Sequence, residues 1–305
     1  MEEIDLLMKL KQGLLLVNKD IQDSPLYFGN TNKNWKNSEK AQKYYLLRLN
    51  NNLFQNTNPQ KKLGTGCKAV RSSAALIYNT IFDGNIVIDK KQYNSFSKDG
   101  EALYELPFAA IKDDKDSTHT AKLDAGLISS DGIDLLLFEA KCMEWFDKNP
   151  KSLKKAYLNK DRYLFEESAS IFIPIFNELV LPNDIKEKGV LVRKAKTIRY
   201  DAIQMMIHCL GIFNWCLANK KASQKNPEKI TLINLVWDYD GIKEYIEEEN
   251  EGKTFESFAN ESLKTEFELL GINFSIKYVR YSEFLKQVDW SSDIEHRNYL
   301  KRYEV

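Results

Sequence analysis

Residues 122–141 read KLDAGLISSDGIDLLLFEAK, and the fold turns on this stretch. Two strand-like runs, 122–129 and 133–141, flank Asp131-Gly132, and Asp-Gly between such runs is the strongest short-range signal of a β-hairpin. A two-residue type I′ turn at Asp131 and Gly132 pairs Ser130 with Ile133, so that cross-strand partners sum to 263 in residue number. Asp124 then falls opposite Glu139. Directly opposite residues have Cβ atoms about 4.5–5.5 Å apart, and two like charges at that spacing destabilise a sheet. A cation is needed, and strand period two places Lys141 on the face of Glu139. Leu136, Phe138 and Ala140 point the other way into a core, whereas Leu135 and Leu137 precede Glu139 on its own face. A polar cluster begins where a buried strand ends.

Outward from the hairpin, Leu103–Ile111 alternates as a strand and 113–118 is a polar turn. Ser72 and Ser73 are suited to cap a helix over Ala74–Phe82, ended by Asp83-Gly84. Further upstream, Ile4–Val17 has apolar residues at helical spacing, and a second helical stretch at 41–49 leads into a polar loop. Downstream, Leu158–Phe176 reads as helix, Gly189–Val192 as a short buried element, and Tyr200–Ala218 as an apolar helix. The near-continuous apolar run Ile230–Trp237 predicts an inner strand and Phe274–Val279 another, with helices over Glu261–Leu270 and from Ser282. The expected architecture is α/β: one mixed central sheet flanked by helices in a single domain, with a helical extension over 1–62, a core over 63–290 and extra helices at both ends.

Composition narrows the function classes. The 305 residues are 43% hydrophobic, with 13 Gly and 7 Pro, which suits a globular chain and argues against disordered or collagenous classes. No apolar run approaches the roughly 18 residues of a membrane span, and the acidic start lacks the basic region of a signal peptide, so a cytoplasmic protein is expected. Cys67, Cys142, Cys209 and Cys216 form no CxxC pair and read as buried thiols. Lys plus Arg and Asp plus Glu balance at 44 each, but the charge is segregated along the chain. Residues 31–72 hold nine basic side chains, Lys68 and Arg71 among them, against Glu39 alone. Two further basic stretches cover 148–162 and 186–199, while 244–268 carries nine Glu against Lys253 and Lys264 and reads as a solvated helix or a partner's docking face. Such segregation suits a basic groove for an anionic polymer.

Two carboxylates and an ammonium at one strand end suit phosphodiester hydrolysis. With carboxylate oxygens as the donors on this face, the expected metal is a hard cation, Mg²⁺ with Mn²⁺ as substitute, bridging Asp124, Glu139 and a phosphate oxygen. Lys141 would orient or help deprotonate the attacking water and offset charge in the transition state. Glu-Ala-Lys alone is ordinarily a surface ion pair; the register-matched Asp124 sets this one apart.

At Leu123-Asp124-Ala125 and Leu137-Phe138-Glu139-Ala140-Lys141 the chain resembles the PD-(D/E)XK nuclease superfamily, most closely a bacterial restriction-endonuclease-like branch, although Leu123 stands where the motif has Pro. The resemblance covers about residues 65–285, with Ser72-Ser73 on an upstream helix, and implies a restriction-endonuclease-like core and a metal-dependent deoxyribonuclease of DNA restriction, defence or repair. It implies Asp124, Glu139, the Ala140 carbonyl and an upstream Glu as metal ligands, and Lys141 as the catalytic lysine. Glu105 is the first choice for the upstream Glu and Glu101 the second. It also implies a site role for a Gln on the following helix, here Gln204, flanked more weakly by Tyr200 and, for a phosphate, Arg199. His208, four residues after Gln204, reads as a packed histidine. DNA is the expected partner, with Lys68, Arg71 and Arg199 as backbone contacts, RNA left open by these residues, and a homodimer suited to cutting both strands. The alternative class is a catalytically silent nucleic-acid- or protein-binding module on the same fold.

Overall fold

The computed structural model describes residues 73–81, 84–98, 104–112, 117–146, 151–291 and 294–304. The expected N-terminal helices, the basic stretch 31–72 with Lys68 and Arg71, Cys67 and Glu101 lie outside these residues. Helix α1 (Ser73–Ile81) leads to strands β1 (Ile86–Ile88), β2 (Lys91–Ser95), β3 (Tyr104–Lys112), β4 (Thr118–Ser129) and β5 (Asp134–Lys141). Next come β6 (Ser152–Lys154), α2 (Glu166–Leu179), β7 (Val180–Glu187), β8 (Val190–Ala195) and α3 (Ala202–Lys221). The chain continues through β9 (Lys229–Val236), α4 (Lys243–Glu268), β10 (Asn273–Arg280), α5 (Tyr281–Gln287) and α6 (Ile294–Leu300). Among the described residues, no helix is long and apolar enough to cross a membrane.

The main sheet has the order β1-β2-β4-β5-β9-β10, with β3 also on β4; β5, β9 and β10 run parallel and the other pairs antiparallel. A separate three-stranded sheet has the order β6-β8-β7. The centre lies at β5, where residues 135–140 are all buried, as expected of a parallel strand covered on both faces. Phe138 meets Phe284 of α5 edge to face on one side, while Glu139 meets Gln204 of α3 on the other. The protein is thus a mixed α/β structure whose mixed sheet is flanked by helices.

At the far edge, β10 is covered by α4 rather than left open. The Asn260 amide accepts from Ile276 N at 2.8 Å and donates to Ile276 O at 3.0 Å, and Glu256 accepts from Tyr278 N at 2.8 Å. Side chains take the ladder bonds that a further strand would make, which removes a sticky edge.

The hairpin keeps the expected register, from Ala125↔Phe138 to Ile128↔Leu135, but its turn differs from type I′. Of Asp131 and Gly132, only Gly132 has a positive φ, 72°. Gly132 N donates to Ser129 O at 2.8 Å, Ile133 N to the Asp131 carboxylate at 3.0 Å, and Asp134 N to the Ser129 hydroxyl at 2.8 Å. These side-chain bonds stabilise a four-residue loop that a strict two-residue turn would exclude. Other boundaries shift as well. The helix expected from Leu158 begins at Glu166 after two 3₁₀ turns, and the element expected at Gly189–Val192 is a hairpin arm with Val190 and Leu191 exposed.

Helix α3 crosses close to β3 at Gly211. A Cβ there would lie 2.8 Å from Phe108 Cβ and 3.1 Å from the Phe108 carbonyl oxygen. Gly211→Ala should cost about 1–3 kcal/mol through overpacking, read as a lower denaturant midpoint with an unchanged slope.

Candidate active site

The β4–β5 ladder ends at Ala125↔Phe138, one pair short of Asp124 and Glu139. Beyond it the Asp124 carboxylate accepts from Ala140 N at 2.7 Å, in place of a main-chain acceptor. The expected juxtaposition therefore exists, but as a side-chain clasp rather than a ladder pair. On the other flank of β4, Tyr104↔Ala125 and Leu106↔Leu123 leave Glu105 level with Asp124. Glu105 has a φ of 60°, a left-handed backbone that is uncommon for a residue with a Cβ. Three carboxylates thus occupy one row across β3, β4 and β5, yet among the described residues no three His, Cys, Asp or Glu side chains gather to hold a metal. Asp124 and Glu139 alone supply two oxygen-only donors. That fits Mg²⁺, which is commonly bound by one or two carboxylates and completed by water and phosphate.

Glu139 is buried and surrounded by donors. Its Oε1 lies 2.8 Å from Lys141 Nζ and accepts from Gln204 Nε2 at 2.7 Å. Gln204 Oε1 in turn accepts from Lys141 Nζ at 2.8 Å, so the three side chains close a ring. His208 Nε2 lies 3.2 Å from Glu139 Oε2, although neither ring nitrogen has hydrogen-bond alignment among the described residues. Behind the strand, Asn234 of β9 donates to the Glu139 carbonyl at 3.0 Å. Burial opposes the charge on Glu139, but Lys141 first and His208 next outweigh it and hold its carboxyl below the usual range. Burial likewise opposes the charge on Lys141, and Glu139 and then Glu144 overcome it, raising its ammonium above the ordinary value. Lys141 is a held cation at neutral pH.

Helix α3 delivers Gln204 because Asp201 caps it, accepting from Gln204 N at 3.0 Å. Asp201 also lies 3.9 Å from Lys151 Nζ. Glu144, pushed up by burial, sits near Lys141 and is hydrogen-bonded by Ser73, the residue that opens α1. Sequence reading missed Asp201, Glu144 and Asn234. A signal existed for two of them: Asp three residues before a helical Gln is an N-cap pattern, and Asn234 is the polar break in an apolar strand. Glu144 gave none, and His208 proved packed, as expected, yet packed against Glu139.

Two expected positions are corrected. Arg199 is not placed to meet a phosphate: its guanidinium is buried, donating to Glu247 at 2.8 Å and to the Trp145 and Phe146 carbonyls at 3.2 and 3.0 Å. Tyr200 precedes the helix and packs on Phe255 and Tyr278 instead of flanking Gln204. The acidic stretch explains both. Glu251 of α4 accepts from the backbone N–H groups of Ile198, Arg199 and Tyr200 at 2.8–3.0 Å, tying down the approach to α3. Glu248 and Glu249 are also buried, Glu249 against Arg280, so this helix turns part of its acidic side inward and is not a wholly solvated face. Compared with protein-family models, curated proteins and solved structures, the chain has no match in any of the three.

Glu248, hydrogen-bonded to the Tyr278 hydroxyl, is pushed up to about 8 by burial. Between the ordinary value of 4.5 and about 8, the folded chain keeps a proton that the unfolded chain releases, so stability falls as pH rises through that window. Glu248→Gln should match the parent's Tm trend near the acid end and exceed the parent above pH ~8, in thermal melts across that range.

Proposed function

We propose that this chain is a metal-dependent phosphodiester hydrolase of the PD-(D/E)XK type, a deoxyribonuclease with a restriction-endonuclease-like core. The observation that carries the reading is the Asp124 clasp on Ala140 N, which sets one carboxylate a single peptide away from the buried Glu139–Lys141–Gln204 ring. In this reading Asp124 and Glu139 hold Mg²⁺ or Mn²⁺, with the Ala140 carbonyl and Glu105 as the further donors that the resemblance implies. The bound ion supplies Lewis acidity and an acidified water.

The chain's own residues do the rest. Glu139 and Glu144 favour the charged form of Lys141, which would set a positive charge beside the phosphate. Gln204 fixes that ammonium by accepting from Nζ while donating to Glu139 Oε1, which limits the reorganisation required as charge develops. Burial of Glu139, with Lys141 only partly exposed, lowers the local dielectric and strengthens both effects. A second reading, a silent binding module on the same fold, draws on the absence of a three-ligand cluster among the described residues.

The two readings separate on a panel of single-stranded, duplex and branched DNA and RNA incubated with Mg²⁺ or Mn²⁺. The parent should cut DNA only with the metal, and Asp124→Asn and Lys141→Ala should each slow cutting by about 10³-fold, the scale seen when one electrostatic stabiliser is removed. Lys141→Ala also leaves Glu139 buried without its main partner, at about 3–5 kcal/mol, so Asp124→Asn, at a half-buried position, is the decisive variant. A folded Asp124→Asn that cuts at the parent's rate overturns the assignment. A parent that binds no metal and cuts nothing leaves the binding module.

A further inference from the structure

The hairpin of β7 and β8 has no part in the site described above, and its construction is unusual. It projects from a three-stranded sheet whose base is anchored beside the site: Ala195 N donates to Lys151 O at 2.8 Å, and Lys151 faces the Asp201 cap of the Gln204 helix. Toward the tip both faces of the ribbon are open. Val190 and Leu191 are 46% and 48% exposed, and Lys186, Lys188 and Gly189 are exposed too. An isolated two-stranded ribbon is marginal in water, so apolar side chains on both faces of this arm add little to the core.

Its turn carries a second cost. Lys188 and Gly189 both have positive φ, 46° and 81°, the geometry of a type I′ turn, in which Asn, Asp or Gly is favoured at the first position. A lysine held there against its backbone preference puts an ammonium at the tip. Across 180–196 the charge is five basic against Asp184 and Glu187, and those two acids are already engaged by Lys155, Arg193 and Lys194. Among the described residues Lys186, Lys188 and Lys196 have no such partner. Since β6 pairs with Val192, Arg193 and Lys194, the free two-stranded part is the pairs Lys186↔Leu191 and Glu187↔Val190 with their turn, about 10 Å long, and a two-stranded ribbon is a form that the major groove of a duplex admits.

We infer that the β7–β8 ribbon is a duplex-contacting arm, in which Lys186 and Lys188 neutralise backbone phosphates and Leu191, paired with Lys186 and on its face, meets the groove. This rests on the nuclease reading for its ligand class and names double-stranded DNA as the substrate form. Anchoring at Lys151 and Asp201 places the arm's base at the site, so a duplex held along it lies beside Glu139 and Lys141.

The test is anisotropy of a labelled DNA duplex of about 20 base pairs in EDTA, where binding is read without cleavage, over a range of salt. Lys186→Glu with Lys188→Glu should weaken binding at least tenfold and flatten the logarithmic salt slope by about 2, near 0.9 per phosphate contact. The matched change Lys225→Glu with Lys264→Glu, at side chains 81% and 70% exposed elsewhere, should weaken it far less. Leu191→Ser should reduce duplex binding more than single-strand binding. Equal losses in the ribbon and control pairs, unchanged binding by the ribbon variant, or no duplex binding by the parent would each overturn the arm. A parent that cuts DNA with Mg²⁺ while the ribbon variant binds as tightly keeps the catalytic reading and removes the arm. A parent whose duplex binding depends on the ribbon but which cuts nothing keeps the arm and removes the catalytic reading.

Discussion

The ion pair between Glu139 and Lys141 is the constraint around which the rest is arranged. Two charges at the end of a buried strand are costly to desolvate, and the cost is met only where every remaining donor and acceptor finds a partner. Here those partners come from different parts of the chain: Gln204 from α3, Asn234 from β9, and Asp124 from β4 through the adjacent peptide, with the His208 ring of α3 close to Glu139 as well. Satisfying one pair fixes the position of α3 over the sheet and the point at which β4 and β5 separate. The same bonds that stabilise the fold keep the ammonium charged and aimed.

Helix α4 has a related function on a larger scale. Its carboxylates pair with Arg280, cap the segment that enters α3, neutralise Arg199 and complete the edge of β10. The equality of 44 acidic and 44 basic side chains is therefore no sign of a uniformly neutral surface. Much of the acid on this helix is consumed inside the structure, while on the β7–β8 ribbon Lys186 and Lys188 form no ion pair within 4 Å among the described residues. Whole-chain charge averages over both and so says little about an anionic ligand.

The two hairpins show how far local chemistry reaches. Asp131-Gly132 and Lys188-Gly189 both end in glycine, yet the first forms a four-residue loop bonded by Ser129 and Asp131, whereas the second has positive φ at both central residues. The dipeptide located the turn in the first case without choosing its type, because flanking side chains offered the backbone other hydrogen bonds. In the second case a lysine hid the turn, since nothing in its side chain favours that backbone. Arg199 was misread for a similar reason: a basic residue in a basic stretch gives no indication that a helix some fifty positions later will bury it.

By itself the sequence determined the two strands of the central hairpin, the register of their ladder and the meeting of Glu139 and Lys141 on one face, because these follow from period two, a glycine turn and apolar runs within twenty residues. It also located the helix that carries Gln204. Only the tertiary structure decided that the ladder stops before Asp124, that Gln204 and His208 close on Glu139, and that Arg199 is withdrawn from solvent. The last two depend on contacts some fifty or more residues apart, where packing and desolvation choose among partners that local propensity leaves equal.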